Sequence, residues 1–159
     1  MPSEFPNASL IRRGAAMLYD AMLIIAMMII ASIPLAAIDA SGNDSSFISD
    51  QSLRFLYQVY LFYLIFAFYY VFWRIKGQTL GMQVWKIRTI AEDGDIMSPV
   101  QCIVRFAVAT PGTLLLFAGF LWAIFDKEGL TLHDRISRSR VVYVGDKPYK
   151  SEKRSLTAD

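Results

Sequence analysis

The stretch FAVATPGTLLLFAGFLWAIF, Phe106–Phe125, decides the fold. Its twenty residues carry no charge, and at 1.5 Å per residue they reach across ~30 Å of hydrocarbon. Basic residues nevertheless lie beyond both ends: Arg74, Lys76, Lys86 and Arg88 before it, Lys127, Arg135, Arg138 and Arg140 after it. A single crossing cannot leave both flanks on the basic, cytoplasmic face of a membrane. Ser98–Phe125 is also too short for two full spans of ~20 residues each. The favoured solution is a broken hairpin: a helix from Pro99 to about Thr110, a break at Pro111-Gly112, and a second helix to Phe125. Pro111 has no amide hydrogen and crowds the preceding turn, and Gly112 relaxes the backbone. Ser98-Pro99-Val100-Gln101 reads as a capping box that starts the first helix. A single tilted, Pro-kinked span over 104–125 is the alternative and leaves the basic tail outside.

Two further runs are apolar. Gly14–Ile38 carries one charge, Asp20, and Phe55–Trp73 carries none. The first is longer than the ~7–15-residue core of a secretory signal and contains an acid, so it reads as a retained helix. Across the 159 residues, 55% are hydrophobic and only 19% charged, which moves the expectation from a soluble domain to an integral membrane protein. A net charge of +2, with no basic patch interleaved with aromatics, excludes nucleic acid as a partner. The single cysteine, Cys102, excludes an internal disulfide and reads as an apolar filler.

The expected fold class is an all-α membrane protein with two full transmembrane helices, a Pro/Gly-broken third hydrophobic segment and a small cytoplasmic β element of two or three strands. The positive-inside rule puts the N-terminus, the 74–98 loop and the C-terminus in the cytoplasm. The 39–52 loop, with three aspartates and neither Lys nor Arg, falls outside. Val84–Ile90 and Arg140–Val144 read as short strands able to pair, and Asp93-Gly94-Asp95 as a turn. No domain boundary or internal repeat is apparent, and the polar tail from Gly145 reads as disordered. Eleven aromatics in the second run read as packing and lipid-facing surface, with a lipid or quinone groove as the sharper alternative, and Tyr70 and Trp73 as an interfacial belt.

Four pieces of the chain resemble one family. They are Arg13-Gly14-Ala15-Ala16-Met17-Leu18-Tyr19-Asp20; Gly77-Gln78-Thr79-Leu80-Gly81 followed by VWKIRTI; Arg105 after the capping box; and Leu132-His133-Asp134-Arg135 before Val141-Val142. In order and spacing they resemble the RDD family, small bacterial inner-membrane proteins named for an arginine and two aspartates, over residues 10–144. The resemblance implies Arg13, Asp20 and Asp134 as signature residues and Arg105 as an associated one. Arg135 departs from the small or hydrophobic residue common after the His-Asp pair. As to role, the resemblance implies little: some members are reported as cation/proton antiporters, and others accompany secretion or envelope systems.

Arg13 and Asp20 are seven residues apart, so they share a helix face but stand ~10 Å apart along the axis. With Arg13 reaching the headgroups as an anchor, Asp20 lies shallow, over the slim surface of Gly14, Ala15 and Ala16. Its expected partner is Arg105, at similar depth. Asp134 is expected to cap a turn or to bind Arg138 or Arg140. Asp20 is also the candidate ion- or proton-binding residue, because intramembrane acids beside broken helices serve that purpose in transporters. The lone His133 is no metal site, and neither paired catalytic carboxylates nor a credible nucleophile is present, so no enzyme, cofactor or metal is expected. The expected role is structural or accessory in the envelope. Monovalent cation/proton exchange by an oligomer is the second reading. The expected partners are the lipid bilayer and either a second copy or another membrane protein.

Overall fold

Ser9 starts the first long helix by accepting a hydrogen bond from the Arg12 amide, and α1 then runs Leu10–Ala40. Asp50 likewise accepts from the amides of Ser52 and Leu53 to start α2, Gln51–Ile75. The computed structural model describes residues 5–41, 50–114 and 118–145. Most of the expected outer loop, 42–49, and the tail from residue 146 lie outside these. α1 and α2 are both long and apolar enough to cross a membrane. Leu18 and Ile29 on α1, and Phe55 and Tyr63 on α2, project from bare outer faces. A short contact between the Ser32 and Tyr57 hydroxyls ties the two helices together.

The chain continues as α3 (Leu80–Val84), β1 (Ile87–Ala91), α4 (Pro99–Leu114), α5 (Ala118–Phe125), α6 (Leu132–Ile136) and β2 (Ser139–Tyr143). β1 and β2 pair antiparallel with Thr89 opposite Val141, and Asn7 adds a bridge to the free edge of β2. Val84, read as strand from its β-branching, instead ends α3. Thr79 caps that helix through the Met82 amide, so the first strand starts three residues later than its composition suggests.

The reversal in the third segment is not at Pro111-Gly112. α4 passes through both residues to Leu114 and α5 begins at Ala118. Proline removes one amide donor from the ladder, and the turn holds while the Thr110 and Thr113 hydroxyls bond the Phe106 and Ala109 carbonyls. Gly112 serves a different purpose. A Cβ on it would lie 3.3 Å from the Gly119 Cα, seven residues on, whereas a straight helix would separate the two by ~10 Å. The segment therefore doubles back on itself through a glycine–glycine contact. The capping box forms as expected, with the Ser98 amide donating to Gln101 Oε1 at 2.8 Å and the Gln101 amide to Ser98 Oγ at 3.2 Å.

Folding also brings out an internal repeat that was not apparent in the sequence. Residues 77–90, GQTLGMQVWKIRTI, and 129–142, GLTLHDRISRSRVV, are built alike. Gly77 and Gly129 both take positive φ (66° and 65°), Thr79 and Thr131 both cap five-residue helices, and Lys86 and Arg138 both turn left-handed (55° and 49°) into a strand. The flanking bonds match as well: the Val144 amide donates to the Lys86 carbonyl, and the Glu92 amide to that of Arg138. Each unit follows a helical hairpin, long in α1–α2 and short in α4–α5. The two units are thus related by a local pseudo-twofold axis through the Thr89–Val141 pair.

Small cores join these parts. Ile87 and Val141 pack with Ala8, Ala16 and Met82 beneath α1. Trp73, Met97, Cys102 and Phe106 form a second cluster. Trp73 is therefore a core residue and not part of an interfacial belt, because α4 covers it.

Candidate functional site

Four charged side chains are withdrawn from the surface where α1, α4 and α6 meet the β1–β2 pair. Arg13, Asp20 and Arg105 are 4%, 2% and 4% exposed, and Asp134 is 0% exposed. Asp134 holds two guanidiniums at once. Arg13 Nη1 donates to its Oδ2 at 2.7 Å and Arg105 Nη1 to its Oδ1 at 2.6 Å. The Thr131 amide also donates to Oδ2, at 3.1 Å, so the same carboxylate caps α6. Arg13 spends its remaining donors on the Ala8 and Val141 carbonyls, and Arg105 also donates to Ser139 Oγ. The Arg105 guanidinium sits 5.4 Å from the centre of the Trp73 ring.

The electrostatics follow from this geometry. Burial alone would raise the Asp134 carboxyl, but the Arg105 and Arg13 guanidiniums outweigh it and hold the group well below the usual carboxylate range. Beside it, burial together with the Arg105 charge pushes the His133 imidazole down to about 3, so it is neutral at physiological pH.

Asp20 stands apart from this cluster. Its Oδ2 accepts from the Thr79 hydroxyl at 2.5 Å and its Oδ1 from the Gly81 amide at 2.8 Å. Among the described residues no cationic side chain bonds it. Gly81 is what allows α3 so close to α1, because a Cβ there would come within 2.3 Å of the Ala16 carbonyl oxygen.

Several expectations change accordingly. The Asp20–Arg105 ion pair does not form, because α3 reaches Asp20 first and α6 offers Arg105 a carboxylate. Arg13 is buried in the cluster and is not a headgroup anchor. Asp134 does cap a turn, but its ion pairs are with Arg13 and Arg105 and not with Arg138 or Arg140. Sequence reasoning missed Thr79, Gly81 and Ser139, although the recurrence of Gly-x-Thr-Leu at 77–80 and 129–132 marked the two caps.

A cavity of about 450 Å³ opens between the halves, with Thr89 and Val141 both in its wall. Asp20 lines it from the first half and Arg105 and His133 from the second, with Arg13 beside them. The rest is mainly apolar, with Phe62, Tyr69, Phe106 and Phe120 prominent. Among the described residues no three His, Cys, Asp or Glu side chains cluster to hold a metal.

A model of the RDD family matches residues 7–138. The chain belongs to that family. The RDD match takes in both hairpins and all four buried charges, and it ends one residue before β2. No curated protein and no solved structure matches the chain. RDD membership and the two apolar helices together point to a membrane protein.

Proposed function

We propose that this RDD-family chain is a multi-pass bacterial inner-membrane protein with a structural or accessory role in the envelope. It works beside a second copy or another membrane protein. The observation that carries this reading is Asp134: one buried carboxylate fastens α1 and α4 to α6 through Arg13 and Arg105. Such a cluster suits a rigid platform better than a moving proton carrier. The orientation puts the β1–β2 end in the cytoplasm, supported by the basic residues Arg12, Arg74, Lys76 and Lys86 near that end. The Gly112–Gly119 reversal supports a re-entrant α4–α5 hairpin. Thiol labelling of Ile48→Cys, Ile96→Cys and Arg140→Cys, in a Cys102→Ser background, tests this arrangement: 96 and 140 react from the same face and 48 from the other.

Monovalent cation/proton exchange by an oligomer is the second reading, favoured by Asp20, a buried carboxyl in a cavity wall with no counter-cation among the described residues. Proteoliposomes carrying a pH gradient separate the two. The structural role predicts no response to Na⁺, Li⁺ or K⁺. A saturable response abolished by Asp20→Asn overturns it in favour of exchange.

A further inference from the structure

The cavity on the pseudo-twofold axis is symmetric in backbone and asymmetric in charge. In the first half, the Asp20 carboxyl accepts from Thr79 and Gly81, with no cationic side chain against it among the described residues. In the second, Arg13 and Arg105 share one carboxylate, leaving that side a positive charge in excess. Arg105 also keeps Nε buried and, among the described residues, without a hydrogen-bond partner. A buried carboxyl with no cationic partner and a buried donor with no acceptor both leave interactions unmade, and a bound molecule that supplies an ammonium and an acceptor makes them. Such a molecule carries a cation and an anion a short distance apart.

The remaining walls specify what those two charges are attached to. Phe62, Phe106 and Phe120 make the cavity predominantly apolar, which suits a hydrocarbon chain and not a free hydrophilic solute. A volume of about 450 Å³ accommodates a polar head and the first part of one chain, too little for a whole lipid. The rest of such a lipid would continue between the exposed apolar faces of α1 and α2. From charge, donors, walls and size together we infer that this cavity binds a phospholipid whose head bears a primary ammonium and a phosphate. The ammonium meets Asp20. The phosphate meets the Arg105 side, where the planar guanidinium fork matches phosphate oxygens. A primary ammonium donates hydrogen bonds to a carboxylate, whereas a quaternary one cannot, so the site distinguishes ethanolamine from choline heads.

The test uses the full chain, delipidated in a neutral detergent, with thermal melting followed as lipid is added. Phosphatidylethanolamine, phosphatidylcholine, phosphatidylglycerol and free phosphoethanolamine are the probes. Phosphatidylethanolamine is expected to raise the melting temperature saturably, with one molecule retained by native mass spectrometry and affinity about tenfold above that of the other two lipids. Phosphoethanolamine alone is expected to give no shift. Ala109→Trp, which fills the cavity wall one helical turn beyond Arg105, is expected to abolish the shift, and Ala109→Leu to weaken it should the larger side chain prevent folding. Asp20→Asn is expected to erase the preference for ethanolamine over glycerol heads. Equal shifts from all three lipids, a shift from phosphoethanolamine matching the lipid's, or a shift unchanged in both Ala109 variants each overturn the assignment. None of these readouts depends on ion flux.

Discussion

Thr89 and Val141 lie directly opposite each other across the β1–β2 ladder, and they are also equivalent positions of the two repeat units. The flanking bonds fall at Lys86–Val144 and Arg138–Glu92. The alternation of an antiparallel ladder then makes Thr89–Val141 a pair without hydrogen bonds to each other, the kind whose Cα atoms approach to ~4.5 Å. Their outward groups are occupied elsewhere, the Thr89 amide on the Gly77 carbonyl and the Val141 carbonyl on the Ala8 amide.

That spacing is within disulfide reach. Thr89→Cys with Val141→Cys, in a Cys102→Ser background, should cross-link on mild oxidation, read as a mobility change on a non-reducing gel. Thr89→Cys with Arg140→Cys should not, since a one-residue offset sends the side chains to opposite faces.

Asp134→Asn should be among the most damaging single changes in the chain. It leaves two buried guanidiniums without their carboxylate, a loss on the order of 3–5 kcal/mol. Thermal melting of detergent-purified protein measures it. Adding Arg13→Gln to Asp134→Asn should cost much less than the sum of the two single changes, because the guanidinium no longer needs its partner.

Gly81→Ala should destabilise by about 1–3 kcal/mol, since its methyl would be driven into the Ala16 carbonyl. Gly14→Ala is the control. Nothing lies within 4 Å of a Cβ there, and exchanging a helical glycine for alanine should add up to about 1 kcal/mol. Chemical denaturation of the two variants side by side separates close approach from helix propensity.

The pH dependence has a definite sign. His133 is held neutral in the fold, with its folded pKa lowered from 6.5 to about 3. The unfolded chain therefore binds the extra proton first, and stability falls as pH drops through that window, by about 1 kcal/mol per pH unit. Asp134 continues the trend at lower pH: its folded value is depressed, so its contribution is complete above its ordinary range of about 4 and is lost below it. Melting temperature from pH 8 to 4 should decline below about 6.5, and His133→Phe should flatten the upper part of that decline.

The long apolar runs were legible because hydropathy is local: Gly14–Ile38 and Phe55–Trp73 became α1 and α2 with only their ends extended. The capping box at Ser98 was legible for the same reason, since its four residues bond one another. Asp20 and Arg105 could be picked out by type and setting, and Arg13 and Asp134 through the family resemblance, but the pairing of the four could not. Whether Arg105 faces Asp20 or Asp134 depends on where two five-residue helices settle. Those helices are too short to show a period, and each is capped by one side chain, α3 by Thr79 and α6 by Asp134. The repeat was hidden because its conserved elements are backbone angles, carried by Gly77, Gly129, Lys86 and Arg138, more than side-chain identities.

The unequal hairpins have a mechanical consequence. α1 and α2 span 31 and 25 residues while α4 and α5 span 16 and 8, so among the described residues the second hairpin falls well short of the first. Set in a bilayer, such a body displaces more lipid from one leaflet than from the other. A wedge of that kind favours a curved membrane, and lateral tension, which changes the thickness and area of the leaflets, would act on it directly.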